Sequence, residues 1–178
     1  MTQRLLSLVF IFIILSLLFW LLFIGARDEI LPIDTELPNI EFSAIHGVKK
    51  LKKQGKPLII VFFSTTCEHC RYQLEVFDEY LSELSGTDIY LFTSETNLYS
   101  NSSVSKWQNL LNASNVTFGI VDVENFKNTF GSILTPTLFF FTDQGKLREK
   151  IRGELKPQRI FEITKSLKSG QTQSSGNN

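Results

Sequence analysis

Cys67 and Cys70 are the only thiols in 178 residues, and Glu68 and His69 alone separate them in "IIVFFSTTCEHCRYQLEVF". A C-x-x-C pair admits three chemistries: dithiol–disulfide exchange, a stabilising bridge, or half of a metal site. A bridge across so short a loop stabilises by only about 2 kcal/mol in the chain-entropy account, and stabilising bridges tie distant segments instead. A closed zinc shell needs four nitrogen or sulfur ligands. Beyond this pair the chain offers no cysteine, and its only histidines are His46 and His69. Redox exchange is therefore the expected chemistry, with the dithiol itself as the redox group and neither a further cofactor nor a metal required.

Such a pair works best at a helix N-terminus. Unpaired amides and the positive end of the helix dipole there stabilise a thiolate on the first cysteine, and the second, one turn in, attacks the mixed disulfide that the first has formed. Cys67 is thus the expected nucleophile and Cys70 the resolving thiol. Glu68 and His69 are expected to tune the couple in opposite senses. A protonated or hydrogen-bonding His69 stabilises the Cys67 thiolate and makes the disulfide more oxidising, whereas Glu68 opposes it with a like charge.

The surrounding sequence supplies the elements that must hold the pair. "PLIIVFF" (57–63) is a continuous apolar run, as in a strand covered on both faces. After it the period changes, and Leu74, Phe77, Leu81 and Leu84 fall on one side of a helix starting at Cys67 to Cys70. Next come "DIYLFTS" as a strand, "SVSKWQNLLNAS" as a helix, "VTFGIVDV" as a strand and "ENFKNTFGSI" as a short helix ending near Gly131. "TPTLFFFTDQGKLREKIRG" reads as a hairpin turning at Asp143-Gln144-Gly145, and "KPQRIFEITKSLK" as a closing helix with Pro157 in its first turn. Strands alternating with helices make an α/β layered sheet. Pro136 opens a strand, where a proline costs no ladder bond. A cis Thr135-Pro136 bond beside the cysteines, with Thr135 free to pair with an extended substrate, is the functional expectation there.

Residues 5–26 carry no charge and are long enough as a helix to cross a bilayer. Phe23 and Ile24 stand where a cleavage site wants small side chains, so an anchor held in the lipid bilayer is expected rather than a signal removed at Ala26. Residues 27–35 read as a juxtamembrane linker, 36–168 as the folded domain, and 169–178, which lack apolar side chains, as a disordered tail. With 18 basic and 18 acidic residues the chain offers no attraction to a polyanion, and nucleic acid is excluded as a partner. Asn101, Asn112 and Asn115 head Asn-x-Ser/Thr triplets in an Asn/Ser-rich stretch where chance matches are cheap, and they are discounted as glycosylation sites.

The order strand, C-x-x-C, helix, then Thr-Pro, hairpin and terminal helix resembles the thioredoxin superfamily. It is similar in particular to the membrane-anchored TlpA/ResA-type thiol-disulfide oxidoreductases, on the anchor, on "GKPLIIVFF" before the cysteines and on "SVSKWQNLLNASNVTFGIVDV" as the added helix and strand. The resemblance implies a central mixed sheet flanked by helices, with the domain in the periplasm or outside a bacterial cell. It also implies cysteines of exported proteins as substrates, apocytochrome c among them, and a membrane or periplasmic electron donor or acceptor. The alternative is a soft-metal module carrying copper on Cys67, Cys70 and His69. A peroxiredoxin would need Pro at Ile60 and Thr at Ser64. The chain departs from the resemblance at Thr66, where the family places Trp, at Val61, where thioredoxin buries an acid, and at Gln73 and Glu75, where the branch has Glu and Pro. With Gln73 in place of Glu, deprotonation of Cys70 lacks its expected carboxylate.

Overall fold

Every residue of the strand Leu58–Phe62 (β3) is buried, which places β3 inside a sheet covered on both faces. The computed structural model describes residues 10–20, 31–100, 102, 104–131 and 134–168. The strands Glu41–Ala44 (β1), Gly47–Lys50 (β2), Asp88–Thr93 (β4), Val116–Ile120 (β5), Thr137–Phe141 (β6) and Leu147–Arg152 (β7) join β3 in one mixed sheet ordered β2-β1-β5-β4-β3-β6-β7. β3, β4 and β5 run parallel, while β6 pairs antiparallel with β3, and β7 with β6.

The pleat of β3 divides the core in two. Ile59 and Val61 face the helices Glu68–Glu79 (α2), Gln108–Asn112 (α3) and Pro157–Ser166 (α5), where Leu74, Phe77, Ile160 and Ile163 are buried. Ile60 and Phe62 face the helix Val123–Phe130 (α4) and its Phe126 and Phe130, with Leu31 in the same cluster. The mixed sheet flanked by helices follows from this two-sided patterning.

Three local features differ from the sequence reading. The hairpin β1–β2 was not expected: β2 is exposed throughout, and in β1 only Phe42 is buried. Phe42 crosses Gly119 of β5, where an added Cβ would stand 2.6 Å from its ring, the close approach that a glycine inside a strand permits. The helix expected over "SVSKWQNLLNAS" shrinks to a 3-10 turn, Val104–Lys106, and the five-residue α3. There Ser105 Oγ and the Gln108 side chain bond backbone carbonyls of Ser102 and Ser105, a competition that breaks helices. Finally, α2 stops at Glu79, and Leu84 reaches the core from a 3-10 turn, Leu81–Leu84.

Residues 10–20 form a helix (α1) with exposed apolar side chains. No helix among the described residues is long and apolar enough to cross a membrane. The remainder of the expected anchor, residues 5–9 and 21–26, lies outside the described residues, as do Asn101 and the expected tail 169–178. Asn115 is committed to the fold, its Nδ2 donating to Leu84 O and Thr87 O at 3.1 and 2.9 Å.

Candidate active site

Because Phe62 of β3 pairs with Thr137 of β6, the loop leaving β3 and the segment entering β6 meet at one end of the sheet. The first carries Cys67 and the second Thr135 and Pro136. The Thr135–Pro136 bond is cis, and the Cys67 thiol donates to Thr135 O at 3.5 Å. Cys67 is the N-cap of α2, its Sγ accepting from Cys70 N at 3.4 Å. Cys70 Sγ in turn accepts from Ser64 N at 3.5 Å. Both thiols are free, with Cys67 half-buried and Cys70 fully buried.

The two sulfurs therefore differ in acidity. Burial pushes the Cys67 thiol up, but hydrogen bonds from the Cys70 side chain and amide, from the Thr135 side chain and from the His69 amide outweigh it and hold Cys67 below the ordinary thiol. Burial pushes Cys70 up to about 12, reinforced by its neighbour Cys67 and only partly offset by the Ser64 amide. Iodoacetamide applied to the reduced protein at mildly acidic pH should accordingly modify Cys67 first. Allowing for the weaker intrinsic nucleophilicity of the more acidic thiol, the preference should be on the order of 30-fold or more. Peptide masses after brief labelling read it out, and a faster Cys70 would reverse the two roles.

Glu68 and His69 are placed differently from one another. Glu68 is exposed and turned to Arg71, 3.2 Å away. The His69 ring bonds not to the nucleophile but, through Nδ1, to Glu154 Oε2 at 2.7 Å, while its backbone amide is what reaches Cys67. Gln73 is fully buried, with Oε1 accepting from Leu155 N at 2.7 Å and Nε2 without a partner. Val61 lies in the core beneath α2.

A second carboxylate, Glu95, organises the loop that ends in Cys67. Its Oε1 accepts from Ser64 Oγ at 2.7 Å and from Thr65 N at 2.8 Å, and its Oε2 accepts from the Thr65 hydroxyl. Thr66, in the position of the family's Trp, joins through a 3.0 Å hydroxyl contact with Ser64. Burial pushes the Glu95 carboxyl up, but the bonds from Thr65 and Ser64 prevail and hold it below the usual carboxylate range. Sequence reasoning missed Glu95 and Glu154. They lie 30 and 85 residues from their partners, and no local spacing signals either contact. Among the described residues no group of three or more His, Cys, Asp or Glu gathers as a metal site.

The sequence profile of the family described as Thioredoxin-like domain matches residues 46–168. No curated protein matches the chain by sequence. Solved structures share its fold. A peroxiredoxin-like protein from Aquifex aeolicus superposes with a TM-score of 0.64 at 14% identity, over 77% of this chain and 88% of that one. A secreted Mycobacterium tuberculosis disulfide oxidoreductase homologous to E. coli DsbE gives 0.59 at 13% identity, over 71% and 95%. StoA from Bacillus subtilis gives 0.55 at 16% identity, over 71% and 96%. With the profile match covering every element from β2 to α5 and the C-x-x-C pair at the cap of α2, the chain belongs to the Thioredoxin-like domain family.

Proposed function

We propose that this protein is a membrane-tethered, extracytoplasmic thiol-disulfide oxidoreductase acting on cysteines of exported proteins. The observation that carries the reading is the asymmetry of the pair: an accessible, acidified Cys67 capping α2, and a buried Cys70 whose amide lies 3.4 Å from the Cys67 sulfur. In the reducing direction the Cys67 thiolate attacks one sulfur of a partner disulfide. A Cys67–partner bond forms, and the electron pair of the broken bond leaves on the partner's other sulfur, which takes a proton from solvent. Cys70 then loses its proton and attacks the Cys67 sulfur, expelling the partner's second thiolate and leaving a Cys67–Cys70 disulfide. Two electrons have passed to the partner, and the reverse sequence oxidises a dithiol. Thr135 and Pro136 border the sulfur where an extended substrate segment would lie. A membrane or periplasmic donor or acceptor resets the couple.

The apolar residues 5–26 support the tether. The path of the chain into the domain supports its orientation. Asp34 N and Leu37 N donate to Leu147 O and Gly145 O, at the end of the sheet opposite Cys67. A tether entering there leaves the cysteines facing away from the bilayer. The family resemblance and the disulfide chemistry support the compartment.

Trapping tests the proposal. Cys70→Ser, expressed as the full chain, should accumulate mixed disulfides with exported proteins that dissolve on reduction and are absent from Cys67→Ser. A membrane-impermeant maleimide should label Cys67 in intact cells. Stoichiometric Cu(I) binding by a protein that neither forms mixed disulfides nor reduces insulin would favour the metal-carrying alternative instead.

A further inference from the structure

The loop between β7 and α5 closes a third side of the redox site. Gly153 N donates to Pro136 O at 2.7 Å, and Leu155 N donates to Gln73 Oε1 at 2.7 Å. Between them, Glu154 places Oε2 2.7 Å from His69 Nδ1. Three successive residues thus fasten one loop to the proline segment, to the interior of the C-x-x-C and to the next turn of α2. The two flanking bonds use the loop's backbone, so only the middle one depends on which side chain the loop carries. Glu68, the carboxylate nearest in sequence, is drawn off by Arg71. The partner of the imidazole comes instead from the loop between β7 and α5.

We infer that Glu154 is a positioning residue of the redox site: its carboxylate takes Nδ1–H of His69, fixes the orientation of the ring, and holds the imidazole on the first turn of α2, whose N-cap is the Cys67 nucleophile. The inference rests on the oxidoreductase reading above for its consequence, though not for the contact itself. A carboxylate on one ring nitrogen selects the tautomer and leaves Nε2 as the nitrogen that a partner can meet. The direction of the His69 titration agrees with this geometry. The hydrogen bond and charge of Glu154 raise it above 6.5, slight desolvation opposes, and the charges of Cys67 and Glu68 add to the rise. A raised imidazole keeps its positive charge further into the neutral range and loses it as the pH climbs through the raised value. Removal of Glu154 brings that loss to lower pH, nearer the ordinary value, and the Cys67 thiolate loses its cationic neighbour where the enzyme would work. Exposed ion pairs add little to folding, so this one should show itself in titration and reactivity and not in stability.

The test compares the reduced full chain with Glu154→Gln, Glu154→Asp and His69→Ala. Ring NMR follows the titration of His69 against His46, and timed iodoacetamide labelling follows Cys67 across pH. In Glu154→Gln the His69 midpoint should fall toward 6.5, and labelling of Cys67 at neutral pH should slow about two- to threefold, a change of the size expected for one exposed charge pair. His69→Ala should slow Cys67 equally, the double variant no further, and Glu154→Asp should recover most of the midpoint and rate. An unchanged His69 midpoint in Glu154→Gln would overturn the inference, as would an equal slowing when Glu154→Gln is made in the His69→Ala background. Insulin reduction by the unsubstituted chain is measured alongside. If it is absent while Glu154→Gln still shifts midpoint and rate, the positioning role stands and the oxidoreductase reading fails.

Discussion

Alanine at Phe126 should destabilise the domain by about 3–5 kcal/mol, the range for emptying an aromatic site in a core. Phe126 is fully buried on α4, and its ring meets four others. It stacks on Phe130 at 4.4 Å and lies 4.8 Å from Phe62, with Phe92 and Phe139 at 6.0 and 6.2 Å. These rings come from β3, β4 and β6 as well as α4, so the cavity would open under the centre of the sheet, where no single neighbour can collapse into it. Against a total of roughly 5–15 kcal/mol for a domain, that is a large fraction. Phe126→Leu keeps part of the volume and should lose well under half as much. Urea unfolding of the reduced protein measures both, and a loss below about 1 kcal/mol for Phe126→Ala would show that the cluster repacks. The consequence reaches the site, because Phe62 is the last residue of β3 before the loop to Cys67.

The parts of this molecule that were legible in the sequence are those whose signal is local and strongly apolar. "PLIIVFF", the Leu74 and Phe77 face of α2, and the β6–β7 hairpin announce themselves by period and by flanking Pro and Gly, and the structure has each of them. The β1–β2 hairpin did not, because a strand with one buried side chain, Phe42, shows no alternation to read. The same distinction holds at the site. Cys67 and Cys70 are recognisable because their chemistry depends on a spacing within one helical turn. The partners that set their surroundings are tertiary: Glu95 on Ser64 and Thr65, Glu154 on His69, and Leu155 on Gln73. His69 shows the limit of local reading. Lying between the two cysteines in sequence, it reaches Cys67 through its amide while its ring turns to Glu154 in the loop between β7 and α5.

Gln73→Glu should accelerate the step in which Cys70 resolves the mixed disulfide. Cys70 is fully buried, and its thiol, pushed up to about 12, must give up a proton before it can attack. Neither Val61 nor Gln73 can accept one. Gln73 stands one turn beyond Cys70 on the same face of α2, about 5–6 Å away between Cβ atoms, and is itself fully buried. Its Oε1 is used by Leu155 N, while Nε2 donates to nothing. A glutamate would keep the bond to Leu155 and remove the orphaned donor. Burial would raise the new carboxyl toward neutrality, where a carboxylate makes a better base. The sign for stability is the reverse of that for rate. A carboxyl whose folded pKa is raised favours folding in its protonated form, and the variant should lose stability as pH rises past the unfolded value of about 4.3. For the rate, a positioned general base is worth about 10²–10⁴-fold at best, and one introduced without a matched surround should give on the order of tenfold at neutral pH. Single-turnover release of a chromogenic thiol from the Cys67 mixed disulfide measures it. The unsubstituted protein should resolve faster with every step up in pH, whereas Gln73→Glu should add an inflection near neutrality. A folded variant with no such inflection and no gain in rate would mean that Cys70 loses its proton directly to solvent.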